Sequence, residues 1–160
     1  MPPPTKASLR DELARILAAD LATRERAYRT AREAATHDEA KPENDKDTRA
    51  LEQSYLARGE ALRIDELRTA LAELDAMVLR DARGDAGVAL GALVAIDEDD
   101  VRSLFWIAPH GGGSHLANRS VQVLTPRSPL ARALLGKRAG EECEVALAGK
   151  TRLLTVVSVG

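Results

Sequence analysis

No glycine occurs before Gly59, and across that stretch the apolar side chains recur at helical steps. Leu9, Leu13, Ile16, Leu17 and Leu21 form a stripe that continues through smaller residues to Ala27, Tyr28, Ala31 and Ala35. A second stripe runs Leu51, Tyr55, Leu62, Leu67, Leu71, Leu74 and Val78, with alternating steps of three and four over its later part. Neither stripe can be left in water. Two helices of similar length bury them best against each other, as an antiparallel hairpin. Pro42 fixes the turn, because it disfavours helical geometry at Lys41 and withholds a backbone donor. Thr5 or Ser8 caps the first helix, with Asp11 in capping-box spacing after Ser8; Asn44 or Asp47 caps the second. From Ser8 to Asp38 the helical rise gives an arm of roughly 45 Å. Residues 1–7 are expected to lack order, and the turn, 37–47, is displayed at the far end of a slender rod.

From about Gly84 the period changes to two. "VALGALVAI" (88–96), "VRSLFWIA" (101–108), "SVQVLT" (120–125), "ECEVALA" (142–148) and "RLLTVVSV" (152–159) read as strands. Asp97 to Asp100 and Gly149-Lys150 are the hairpin turns. The one clear helix in this half is "SPLARALLG", with Ser128 as cap, Pro129 as first helical residue and Gly136 as left-handed terminator. The fold class is therefore α+β: a long helical hairpin over 1–78, a linker "LRDARGDAG" over 79–87, and a small antiparallel sheet wrapping one short helix over 88–160. Gly84 and Gly87 would let the linker bend.

Charge excludes some functions. The formal net charge of the 160 residues is -2, unlike the bulk basic field of nonspecific nucleic-acid binders. It is unevenly spread: 13 basic against 16 acidic residues through Met77, and 10 against 9 from Val78 onward. The only aromatics are Tyr28, Tyr55, Phe105 and Trp106, too few for a stacking platform or an aromatic-lined pocket. The single cysteine, Cys143, fits a reducing compartment and reads as a buried apolar side chain. "MPPPTK" lacks a long apolar core, and no apolar run approaches the ~20 residues of a membrane span, so a soluble, cytoplasmic protein without a membrane partner is expected.

The turn "HDEAKPENDKD" gathers five carboxylates around two lysines. Taken alone, such a cluster is ordinarily a solvated loop. The chain's second half gives it another meaning. "SPLARALLGKRAGEECEV", preceded by "VQVLTPRSP" and followed by "ALAGKTRLLTVVSV", resembles the C-terminal domain of the GreA/GreB family of bacterial transcript cleavage factors. In that family an FKBP-like β domain follows an N-terminal antiparallel coiled coil. The resemblance implies a monomeric accessory factor without an active site of its own. Its β domain would dock at the rim of the RNA polymerase secondary channel while the coiled coil enters. Acids at the tip would then reach the catalytic centre and its backtracked nascent RNA, with no cofactor of the factor's own and a magnesium ion held jointly with the polymerase.

The family's tip reads Asp-x-x-Glu-Asn. Here Glu43-Asn44 supplies the second part, but Ala40 stands where the aspartate would be. The resemblance therefore assigns catalytic and magnesium-holding roles to Glu43 and, four residues upstream, Glu39, with Asp38, Asp45 and Asp47 in reserve. The altered spacing, with Pro42 inside it, raises an alternative: a non-cleaving Gfh- or DksA-type regulator that plugs the channel. Around the short helix, Arg127, Arg132, Lys137 and Arg138 form either a solvated face or a docking patch for an acidic rim. "HGGGSH" (110–115) reads as a flexible connecting loop rather than a phosphate cradle or metal site, having no following helix and no accompanying ligands. Phe105 and Trp106 point to opposite sheet faces; one is expected in the core, the other exposed and available to a partner. Proline isomerase activity would need an aromatic pocket that two such residues do not build.

Overall fold

A computed structural model describes residues 2–39, 48–81 and 85–160, with side chains described for 2–36, 51–81 and 85–160. Helix α1 runs Lys6–Glu39 and α2 runs Thr48–Ala76. Thr5 is the cap. Its hydroxyl accepts from the Ser8 backbone N–H at 3.1 Å, and Ser8 Oγ accepts from the Thr5 N–H at 3.1 Å. The box is closed by Ser8 rather than by Asp11, and helix begins inside the stretch expected to lack order. The expected turn at Pro42 and the caps at Asn44 or Asp47 lie outside the described residues.

The chain divides into two compact units, Arg15–Ala72 and Met1–Ala14 with Glu73–Gly160. In the first, the two helices run antiparallel, cross-linked by Arg63 to Asp20 at 3.7 Å, Arg24 to Glu60 at 3.4 Å and Arg68 to Glu25 at 3.3 Å. Leu17, Ala31 and Ala35 are buried on α1, and Ala57, Ile64, Leu67 and Ala70 on α2. This seam differs from the sequence stripes. Ile16, Leu51, Tyr55, Leu62 and Val78 are exposed. The reason is angular. At about 100° per residue, Leu51, Tyr55 and Leu62 fall within about 40° of one another, nearly opposite Ala57 and Ile64. Ala57, Ile64, Leu67 and Ala70 form the α2 side of the seam instead, and the alanines among them let the helices approach closely.

The second unit is built on a six-stranded sheet of order β3-β4-β2-β1-β6-β5. Its strands are β1 Leu93–Glu98, β2 Val101–Ile107, β3 His115–Leu116, β4 Val121–Leu124, β5 Glu142–Leu147 and β6 Lys150–Val159. Four of the neighbouring pairs are antiparallel, as expected, but β2 and β4 run parallel. The parallel pair arises because the chain after β2 doubles back through β3, a two-residue strand too short for a period to mark. The first expected strand also shortens. Gly91 adopts φ 90°, left-handed backbone that ends the run "VALG" in a turn before Leu93.

Helix α3, Pro129–Leu134, starts as expected: Ser128 Oγ accepts from the Ala131 N–H at 3.1 Å, and Gly136 sits at φ 81°. Leu130, Ala131 and Leu134 pack into one sheet face with Val94, Ile96, Phe105, Ile107, Cys143, Val145, Leu154 and Val156. Trp106, Leu116, Val121 and Val123 point to the other face and are fully buried too. The first turns of α1 and the end of α2 cover that face. Leu9, Leu13 and Leu74 are buried there, Leu13 lies against Gly111, and Met77 against Gly91. Arg10 Nη1 donates to the Met77 carbonyl at 3.1 Å and Lys6 Nζ to the Arg80 carbonyl, satisfying acceptors at the end of α2 and just beyond. Both Phe105 and Trp106 are thus core, and the expected exposed aromatic does not exist. Among the described residues no helix is long and apolar enough to cross a membrane.

Candidate functional site

Three groups of residues carried functional expectations. The first is the acidic turn. Asp38 and Glu39 form the last turn of α1, and α2 resumes at Thr48. Glu43, Asp45 and Asp47 lie outside the described residues. The seam leading to the turn is lined by Ala31 and Ala35 on α1 and Ala57 on α2, so both helices continue as a close pair toward it.

The second group surrounds α3. Arg127 precedes the cap Ser128 and lines an open cleft of about 450 Å³ with Leu90, Pro109, His110, Thr125 and Pro126. Arg132 is exposed in the last turn of α3. Lys137 and Arg138 follow Gly136, and the Arg138 guanidinium lies 3.3 Å from the Asp85 carboxylate. Among the described residues this is the one ion pair that involves any of the four. The end of the linker is held here as well. The Val88 N–H donates to the Lys137 carbonyl and the Gly136 N–H to the Val88 carbonyl, both at 2.8 Å. A Cβ on Gly87 would stand 2.9 Å from the Gly136 carbonyl oxygen, so only glycine fits that approach.

The third group is "HGGGSH", and the structure gives it a packing role. Gly111 has φ 83°, and a Cβ there would lie 2.5 Å from Leu13 Cδ1; one on Gly112 would lie 3.1 Å from Thr125 Cγ2. The glycines are thin where neighbouring elements crowd in. His110 Nε2 is hydrogen-bonded to the Glu73 carboxylate, and His115 is an exposed residue of β3 opposite Gln122. Nearby, Glu12 accepts from the Ala117 N–H at 3.0 Å, anchoring a turn in which Ala117, Asn118 and Arg119 all have positive φ. Sequence reasoning missed the Glu73–His110 and Glu12–Ala117 contacts. Each joins residues far apart in the chain, which no local pattern marks. Among the described residues no group of three or more histidine, cysteine or acidic side chains is arranged to hold a metal. Cys143 is buried in the core, and that burial pushes its thiol up despite nearby Lys137, leaving it a poor nucleophile. The Trp106 indole donates to the Gly91 carbonyl at 3.2 Å, and both core aromatics are buried.

A helical hairpin joined to a mixed sheet that wraps one short helix is the architecture the family resemblance implied. Comparison with known proteins bears that resemblance out. Residues 112–160, which span β3 to β6 and include α3, match the family described as "Transcription elongation factor, GreA/GreB, C-term". The C-terminal part of the chain is thus similar to a GreA/GreB C-terminal domain. Transcription elongation factor GreA of Rhodopseudomonas palustris, from strains TIE-1 and ATCC BAA-98 / CGA009, is 36% identical over 98 residues, 61% of this chain. The match spans 60% of the length of these curated relatives. Among solved structures, the GreA factor homolog Gfh1 of Thermus thermophilus superposes with a TM-score of 0.40 at 15% identity, covering 92% of this chain and 94% of that one. Gfh1 of Thermus aquaticus gives 0.41 at 18%, over 91% and 92%. A GreA/GreB factor from Nitrosomonas europaea gives 0.38 at 18%, over 64% and 90%.

Proposed function

We propose that this chain is an accessory transcription elongation factor that binds RNA polymerase and inserts its helical hairpin into the secondary channel. One observation carries the reading. The stretch similar to a GreA/GreB C-terminal domain, 112–160, follows two antiparallel helices between whose described parts the sequence carries Asp38, Glu39, Glu43, Asp45 and Asp47. The docking surface is the region around α3, where Arg127, Arg132 and Lys137 offer cationic groups to an acidic rim. The factor acts in the cytoplasm, one copy per channel, and meets nascent RNA only inside the polymerase.

The finer reading is that Glu39 and Glu43 promote cleavage of backtracked RNA. Their carboxylates are hard oxygen donors, the chemistry magnesium accepts, and an ion shared with the polymerase would stabilise the attacking and leaving oxygens of an in-line displacement. The chain's own part is to deliver and orient the two carboxylates. A second reading is favoured by a specific feature of the turn. Ala40 stands three residues before Glu43, and Pro42 lies between Glu39 and Glu43. That spacing suits a factor that occupies the channel and inhibits without cleaving.

Binding is tested by co-purification with bacterial RNA polymerase, followed by crosslinking from a photoreactive group at position 43. Crosslinks to the polymerase active centre are expected. A failure to co-purify, or crosslinks confined to the polymerase's outer surface, contradicts the proposal.

A further inference from the structure

The sequence marks Leu51, Tyr55 and Leu62 as a stripe, and the fold leaves them 54, 59 and 63% exposed on one side of α2. Gly59 stands beside them in mid-helix, where glycine is disfavoured relative to alanine. No atom lies within 4 Å of where its Cβ would be, so nothing inside the chain requires glycine there. Arg58 and Asp65 edge the stripe on the same flank, about one turn before and one turn after Leu62. Neither forms an ion pair among the described residues; the Arg58 guanidinium instead lies 5.9 Å from the centre of the Tyr55 ring.

We propose that this face binds a second copy of the same chain, α2 packing antiparallel on α2 about a two-fold axis near residue 61. In that arrangement Leu62 of each copy meets the gap above Gly59 of the other. Arg58 of each copy meets Asp65 of the other, on the same flank. The part of the face around Leu62 is thus complementary to itself in charge and in shape, as an isologous contact requires. A single helix-on-helix contact falls at the low end of interface sizes, so the dimer is weak, with a dissociation constant on the order of 100 µM. Its regulatory consequence rests on the polymerase reading above: a dimer covers the hairpin that would enter the channel, and so holds the factor in reserve. The contact itself does not depend on that reading.

Sedimentation equilibrium of the full chain, from about 10 µM to about 1 mM, tests the contact without any polymerase present. Wild type is expected to self-associate. Gly59→Leu fills the seat for Leu62 while raising helix propensity, so helical circular dichroism should be retained while dimer affinity falls at least tenfold. Arg58→Glu should weaken association by a similar factor, and Arg58→Glu with Asp65→Arg should restore it. A wild type that stays monomeric throughout, or a dimer indifferent to Gly59→Leu, overturns the proposal. A monomeric wild type whose capture of RNA polymerase falls with Leu62→Ala would assign the face to the polymerase instead.

Discussion

Gly111 lies at φ 83° with Leu13 Cδ1 2.5 Å from where a Cβ would stand. Both facts bear on one substitution. Gly111→Ala should cost about 2 kcal/mol or more in thermal or denaturant unfolding, from left-handed strain plus overpacking. Gly113 has a similar φ of 87° but no atom within 4 Å of a Cβ, so Gly113→Ala should cost only the strain part, about 1 kcal/mol. The difference between the two variants isolates the contact with α1. At the same scale, Arg152 Nε donates to Glu98 at 2.6 Å, and that hydrogen bonding holds the Glu98 carboxyl below its usual range. Arg102, donating to Asp97 at 2.8 Å, does the same there. A depressed carboxyl stabilises the fold above its unfolded pKa and loses that contribution as pH falls through the lower, folded value. Melting temperatures of wild type and Glu98→Gln should therefore differ at neutral pH, and the difference should shrink as pH falls below the ordinary glutamate range. The glycine run was legible as a loop, because three glycines in a row suit little else. Its contact with Leu13 was not, since tertiary approach leaves no periodicity.

At the scale of elements, the sequence was most informative where a residue acts on its own neighbours. Ser128, Pro129 and Gly136 mark the start and stop of α3 because capping is local chemistry. Ser128→Ala should cost about 1 kcal/mol in unfolding free energy, by releasing the Ala131 N–H. The helices were legible as helices, and so were much of the buried face of α1 and the later part of that of α2, where Leu67 and Leu74 are buried, but not the buried face of the first half of α2. Leucine spacing pointed to Leu51, Tyr55 and Leu62, whereas the seam took Ala57, Ile64 and Ala70. A long amphipathic helix with apolar residues on two sides cannot declare which side faces its partner. A polar pair flanks that seam: among the described residues Glu60 Oε2 has no hydrogen-bond partner, and Arg24 Nη1 approaches Oε1 at 3.4 Å. Removing the arginine strands the carboxylate, while removing the carboxylate relieves it. Arg24→Ala should lower the urea midpoint slightly, and Glu60→Leu should leave it unchanged or raise it. The opposite order would mean that the pair contributes more than its desolvation costs.

Across the whole molecule, the sequence disclosed two regions through their two periods, and a family through "SPLARALLGKRAGEECEV". The division of the structure is less simple. The first turns of α1 and the end of α2 belong to the unit that contains the sheet, where Leu9, Leu13 and Leu74 cover the face that buries Trp106. A period change locates where secondary structure switches, not where cores divide. The acids of the turn were legible as an unusual concentration of charge, and only the resemblance assigned them a role. The account therefore stands most directly on one measurement: RNA cleavage by stalled, backtracked RNA polymerase complexes with wild-type protein, Glu39→Ala and Glu43→Ala. Wild type is expected to accelerate cleavage, and each substitution to lower that acceleration at least tenfold while polymerase binding is retained. Acceleration undiminished in both variants would contradict the assignment of the carboxylates.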